Sequence, residues 1–287
     1  MQPDSRFTKL PKQFWANVRS ISQQAGYTQR NTGQIKVHSY QEMIKALAAI
    51  NLTSCHIWDS AQRQPTEFGQ TLHEYFAYRA KILNEFVEPN LMTAESAKEV
   101  YEELVRKYPQ VTCPVPMNKQ KGEKRAPAYL TAMVNRIVAA HAESIACDYD
   151  PMALTTVTAN GVPLRTLSRR VDGAFPTSVN PIAIWEIKEY YYTTTFGSRV
   201  ADGVFETLLD GMELEELREH EGINVLHYLV VDAHYTWWTC GRSYLCRIID
   251  MMHMGYVDEV IFGKEVVSRL PALVKTWVSA HKLRTKT

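Results

Sequence analysis

The sequence predicts an α/β protein, with a helical N-terminal region over residues 1–110 and a mixed sheet flanked by helices over 111–287. Three observations carry this. Apolar residues recur at helical spacing up to residue 110, whereas later β-branched and aromatic runs alternate with helical stripes. A proline-rich segment, Val111–Pro116, and a cationic one, Lys119–Arg125, separate the two regimes. Two later runs, Val171–Pro176 and Ile182–Glu189, carry charge where a strand is expected to be apolar.

In the first region, Leu10–Gln24 puts Phe14, Val18 and Ile21 on one helical face. Ser39 with Glu42 reads as a capping box ahead of Met43–Leu47. A helix over 39–51 could open a helix-turn-helix, but the residues after Asn51 make a poor second helix. Leu72–Val87 carries a broad apolar stripe closed by Pro89. Thr93 with Ser96 opens a further helix, with Val100, Tyr101, Leu104 and Val105 inward, ending at Tyr108–Pro109. Such stripes read as core.

In the second region, Pro127 suits the first turn of a helix running to about Ser144. Leu154–Thr158 and Val162–Leu167 flank Asn160–Gly161, a hairpin signal. After the two charged runs, a hydroxyl-rich segment, Tyr190–Phe196, reads either as strand extension or as a phosphate- or base-contacting stretch. Ser198 begins a helix to about Glu219, on which Asp202, Glu206 and Asp210 form an i, i+4 stripe read as a solvated face. Val225–Asp232 reads as a strand buried on both faces, with His227 as a hydrogen-bonded core residue. Tyr235–Trp238 is expected to continue the sheet after a turn. A helix over Ser243–Met254, a strand within Tyr256–Gly263 and a final helix over Lys264–His281, interrupted near Pro271, complete the chain.

Composition narrows the function classes. The 287 residues are 45% hydrophobic and 22% charged, enough to bury a core without staples. The formal net charge of +1 means that any nucleic-acid surface must come from local clustering. Five scattered cysteines without a Cys-x-x-Cys pair suggest neither a zinc ribbon nor a disulfide framework, and fit a reducing cytoplasm. No apolar run is long enough for a membrane span, and no dinucleotide fingerprint, P-loop or His-Glu-x-x-His motif points to an organic cofactor or a zinc peptidase.

The charged runs carry the chemistry. In Ile182–Glu189, Glu186 and Lys188 lie two residues apart, so in a strand they share one face with Ile184. Asp172 precedes Glu186 by fourteen residues, room for a turn and a neighbouring strand, and Gly173 suits a tight turn. Two carboxylates and a lysine at the end of a strand pair suit Mg²⁺-assisted phosphodiester hydrolysis, because Mg²⁺ prefers hard oxygen ligands and a nearby ammonium can orient water and offset charge. An ion pair on an edge strand is the alternative for an isolated Glu-x-Lys.

Asp172–Gly173 followed by Glu186–Ile187–Lys188 resembles the PD-(D/E)xK motif of restriction endonucleases and related DNA-cleaving enzymes, with Val171 where the motif has proline. The resemblance implies a restriction-endonuclease-like core and a Mg²⁺-dependent DNA endonuclease of restriction or phage-defence type, with Mn²⁺ able to substitute. It implies Asp172 and Glu186 as metal ligands, the Ile187 backbone carbonyl as a further one, Lys188 as the residue that positions water, and Glu143, which otherwise reads as a solvated helix-end residue, as the positional candidate for an additional acid. Lys119, Lys121, Lys124 and Arg125, with Arg165, Arg169 and Arg170 just ahead of the first carboxylate, are the expected contacts to double-stranded DNA. The N-terminal region is then a recognition or dimerisation module, and cutting both strands suggests a homodimer. A non-catalytic DNA-binding or regulatory protein on a nuclease-like fold and an RNA-directed nuclease are the alternatives.

Overall fold

The computed structural model describes residues 1–192 and 197–285, with the side chains of Lys124 and Arg199 outside that description. The chain opens with α1 (Lys12–Ala25) and α2 (Tyr40–Ala48), a two-residue ribbon of β1 (Trp58–Asp59) and β2 (Gln64–Pro65), and α3 (Glu67–Ile82). A π-helical turn, Leu83–Val87, carries α3 into the short α4 (Glu88–Asn90), so the helical path runs past Pro89, which sits in the first turn of α4. The Ser39–Glu42 capping box forms as expected and opens α2, and Thr93 opens α5 (Ala94–Lys107), where it forms a second capping box with Ser96. The chain turns after α2 and next forms the β1–β2 ribbon, so α2 does not open a helix-turn-helix.

Beyond α6 (Tyr129–His141) come β3 (Asp148–Tyr149) and a separate hairpin of β4 (Thr156–Ala159) and β5 (Val162–Thr166). Then follow β6 (Gly173–Phe175), β7 (Ala183–Glu189), α7 (Ser198–Glu221), β8 (Leu226–Asp232), α8 (Arg242–His253), β9 (Glu259–Phe262) and α9 (Glu265–Arg284). The main sheet has the order β3-β6-β7-β8-β9. Its first two pairings are antiparallel, whereas β7–β8 and β8–β9 are parallel and joined through α7 and α8.

Strand alternation sorts the sheet into two faces. Trp185, Ile187, Tyr228, Val230 and Ile261 pack with α5, α6 and α9 in one cluster. Leu229, Val231, Val260 and Phe262 face the other way, against α7 and α8. Ile184 packs with Leu214 and Leu217 of α7, so the even-numbered positions of β7, including 186 and 188, look towards that helix.

Three expectations are corrected. Tyr235–Cys240 is π-helical, not a strand: Thr236, Trp237 and Trp238 bury consecutive side chains, which a strand with period 2 cannot do against one layer. Pro271 does not interrupt α9, because Leu270, Leu273, Val274 and Trp277 are buried on both sides of it and offset the lost hydrogen bond. Gly173 makes no tight turn but lies in β6 opposite Trp185, and a Cβ there would stand 2.1 Å from the indole ring. That ring is fully buried and stacks on Trp277, with centroids 5.6 Å apart.

The N-terminal helices are tied to the sheet domain by a buried ion pair. Arg79 of α3 donates to both Asp250 carboxylate oxygens of α8, at 2.9 and 3.0 Å, and Tyr75 donates to the same carboxylate at 2.6 Å. Removing one partner of such a pair strands the other, so Arg79→Ala should destabilise the protein by about 3–5 kcal/mol in urea unfolding. A change below about 1 kcal/mol would show that the pair is dispensable. Gly173→Ala should cost about 1–3 kcal/mol in the same assay by overpacking against Trp185, and an unchanged melt would contradict the close approach.

Candidate active site

β7 delivers Glu186 and Lys188 to one face of the sheet, and the loop between β5 and β6 brings Arg169 and Asp172 beside them. Glu186 is fully buried and Lys188 nearly so. Lys188 Nζ donates to Glu186 Oε2 and Glu206 Oε2, both at 2.9 Å. Arg169 Nη1 lies 2.8 Å from Glu186 Oε1 and donates to Asp210 Oδ2 at 2.6 Å. Its Nη2 donates to Glu186 Oε2 at 3.1 Å and to Glu206 Oε2 at 3.4 Å. Asp172 Oδ2 accepts from the Ile187 amide at 2.7 Å, extending the tie between the strands beyond the last paired residues, Gly173 and Trp185. The cluster thus contains Asp172, Glu186 and Lys188, together with Arg169 and two acids from α7.

Glu206 and Asp210 correct the solvated-face reading of α7. Asp210 is fully buried, and Glu206, whose side chain is only partly exposed, is bonded into the cluster, whereas Asp202 faces solvent. The helix lies so close to β7 that a Cβ on Gly203 would stand 3.0 Å from Lys188 Cδ. The signal in the sequence was the i, i+4 acidic spacing itself, but whether that stripe meets water or a buried lysine depends on how α7 lies on the sheet.

The remaining expected residues are dispersed. Glu143 is not in a helix: α6 ends at His141, and Glu143 takes a left-handed conformation (φ 50°), is exposed and pairs with Lys282 of α9. Arg165 pairs with Glu216 and Glu213, and Arg170 is exposed beside Met152. Lys119, Lys121 and Arg125 are exposed on the loop before α6, whereas the Lys124 side chain lies outside the described residues, as do Thr193–Phe196 of the hydroxyl-rich segment. Ile187 meets the cluster through its amide. His227 is a buried core residue whose Nδ1 lies 2.8 Å from the Tyr256 carbonyl oxygen.

Electrostatics follow from burial and from these partners. Burial, then the neighbouring Glu186 charge, raises the Asp172 carboxyl to about 6. Burial raises Asp210 to about 7 against the pull of Arg169. Burial works the same way on Glu186, but Lys188 and Arg169 outweigh it and hold this carboxyl below its usual range. Lys188 is destabilised as a cation by burial and more than restored by Glu186 and Asp172, so it stays charged. Where β7 and β8 end side by side, burial raises Glu189 and Asp232 to about 7 each.

The donor set suits a hard divalent cation. Four carboxylates against Lys188 and Arg169 leave a formal charge of −2 when all are ionised. Glu186 Oε1 and Asp210 Oδ1 are buried and accept no hydrogen bond, leaving two oxygens with lone pairs to offer. Among the described residues, no three Asp, Glu, His or Cys side chains stand close enough together to hold an ion as they lie. The guanidinium and ammonium stand between them.

The family models that match the chain divide it close to the start of α5, upstream of the proline-rich segment at 111–116. One family model, described as a domain of unknown function (DUF7687), matches residues 92–277. The chain belongs to the DUF7687 family. A second domain of unknown function (DUF7690) matches residues 1–86. No curated protein and no solved structure matches the sequence. The whole cluster lies within the DUF7687 segment, and the Arg79–Asp250 pair joins the two matched segments. Among the described residues, no helix is long and apolar enough to cross a membrane.

The raised carboxyls give a signed pH dependence. A buried acid with an elevated folded pKa favours the folded state most when protonated in both states, and loses that advantage as pH rises from about 4 through the folded value. Asp172, Asp210, Glu189 and Asp232 all act in this direction, towards values of about 6, 7, 7 and 7. Unfolding free energy should therefore decline between about pH 5 and 8. Asp232→Asn, which keeps an acceptor for the Met92 and Ala233 amides, should flatten part of that decline. Urea melts at unit pH steps check this; identical slopes for both proteins would refute it.

Proposed function

We propose that this DUF7687 chain is a metal-dependent phosphodiesterase that cuts nucleic-acid strands, with double-stranded DNA as its substrate. The observation that carries the reading is that Glu186 and Lys188, on one sheet face, meet Glu206 and Asp210 from the following helix, directly or through Arg169, while Asp172 is held beside them by the Ile187 amide. The antiparallel β6–β7 pair followed by a parallel crossover through α7 to β8 supports a restriction-endonuclease-like core.

Asp172 and Glu186, with the Ile187 carbonyl as a further ligand, would hold Mg²⁺ or Mn²⁺, which would supply an activated water and neutralise charge on the phosphate. The chain's own groups do the rest. Lys188, kept cationic by its acids, orients the attacking water and offsets charge as it develops. Burial of Glu186 excludes bulk water from one side, so each electrostatic contact there is stronger than in solvent. Arg170 and the exposed Lys119, Lys121 and Arg125 are available for phosphate contacts that position the strand.

The ion pairing of Glu186 with both Lys188 and Arg169 favours a second reading, a non-catalytic nucleic-acid-binding module in which the cluster is a structural ion network. The two readings separate in one experiment. Supercoiled plasmid and a matched RNA are incubated with the protein in Mg²⁺ and in EDTA, and single-turnover cleavage by Asp172→Ala, Glu186→Ala and Lys188→Ala is measured beside thermal melts. Each variant should lose about a hundredfold or more in rate while remaining folded. Near-normal cleavage by folded Glu186→Ala, or cleavage indifferent to EDTA, would end the metal-dependent assignment, and preference for RNA would move the substrate class.

A further inference from the structure

We propose that Glu186, Glu206 and Asp210 form a cation seat, that the Arg169 guanidinium is its resident occupant, and that Arg169 gives up the seat when a divalent cation binds. This rests on the reading of the cluster as a cation site. It adds two acids outside the Asp172–Glu186–Lys188 motif and a built-in competitor.

Four observations support it. The guanidinium touches all three acids, with its closest contacts at 2.6 Å to Asp210 and 2.8 Å to Glu186, as a single positive centre shared between carboxylates would. Asp210 is fully buried on α7, yet its Oδ1 accepts no hydrogen bond, and Glu186 Oε1 faces Arg169 Nη1 without forming one either. An oxygen left in that condition costs folding free energy and gains from a ligand that approaches along its lone pairs. A guanidinium donates only along its fixed N–H directions, whereas a metal ion has no such restriction.

Third, the geometry lets Arg169 leave. Arg169 lies on the loop between β5 and β6 and not on a strand, and its side chain retains 23% exposure, so it can swing outward without disturbing the sheet. Its neighbours stay anchored: Ser168 gives its amide and hydroxyl to Glu213, at 3.0 and 2.7 Å, and Arg165 pairs with Glu216. Glu206 is 43% exposed and marks the open side of the cluster. Fourth, the charge balance calls for replacement and not mere addition. Lys188 neutralises one carboxylate, and losing Arg169 from the seat leaves a deficit that a divalent ion fills. Freed in this way, Arg169 joins Arg170 as a cation at the mouth, so that the ion and the phosphate-contacting arginine become available together.

Isothermal titration of the full-length protein with MnCl₂ tests this without reference to activity. Arg169→Gln should bind Mn²⁺ at least about tenfold more tightly than the parent, since no resident cation has to leave, and Asp210→Asn at least about tenfold more weakly, in the range that removal of a supporting group commonly costs. Arg169→Lys, which keeps the charge but loses the two-pronged bridge, should fall between parent and Arg169→Gln, and it decides the question if Arg169→Gln does not fold. Thermal melts in the absence of metal confirm that each variant is folded. Unchanged or weaker binding by folded Arg169→Gln or Arg169→Lys, with Asp172→Asn still impairing it, would overturn the competitor role and leave the metal site standing. Unchanged binding by Asp210→Asn would remove α7 from the seat. Absence of Mn²⁺ binding in every protein would overturn this inference together with the metal-dependent function.

Discussion

The constraint on which the structure depends is a carboxylate with no solvent exposure in the middle of a sheet. Glu186 sits on β7 between β6 and β8. Isolated, such a charge would cost several kcal/mol in lost hydration. It is stabilised by two cations, Lys188 from its own strand and Arg169 from the preceding loop. These cations are themselves largely withdrawn from water, and they recruit Glu206 and Asp210. Those acids belong to α7, so the electrostatic chain also fixes where the crossover helix lies. Gly203 lets the helix approach that closely.

The two faces of the sheet divide the work. One is apolar and dense, with Trp185 stacked on Trp277 and Phe175, Tyr228 and Ile261 around them. Its rigidity holds the register of β6 against β7, and with it the separation of Asp172 from Glu186. The other face is apolar towards β8 and β9 but polar at β7, where the ion network replaces hydrocarbon. Packed hydrocarbon has essentially one arrangement, whereas an ion network can exchange partners at modest cost if its net charge is preserved. Chemistry that depends on a ligand entering and leaving is better served by the second kind of interior.

The N-terminal helices are not loosely appended. Tyr75 and Arg79 donate to Asp250, and Ser22 accepts from Arg79, in a buried polar junction with α8. Because α8 packs on the same sheet face as α7, this junction lies on the side of the sheet that carries the cluster.

Much of the local structure was legible in the residues alone. The capping box at Ser39, the helix start at Thr93, the hairpin around Asn160–Gly161, the buried strand at 226–232 and the shared face of Glu186 and Lys188 each follow from periodicity or short-range hydrogen bonding, which act over a few residues. The cationic stretch 119–125 was equally visible, and so was the acidic stripe on α7. What the sequence left open is whatever depends on two segments meeting. Tyr235–Cys240 has strand-like composition, yet it winds into a π-helix to bury consecutive aromatics. Glu143 was a positional candidate for a further acid, but α6 ends two residues before it and the exposed side chain turns to Lys282. Glu206 and Asp210 looked solvated because periodicity along one helix specifies which residues share a face and says nothing of what that face meets. Only the docking of α7 over the charged end of β7 decided that, because the partners they neutralise come from residues 18 to 41 positions away.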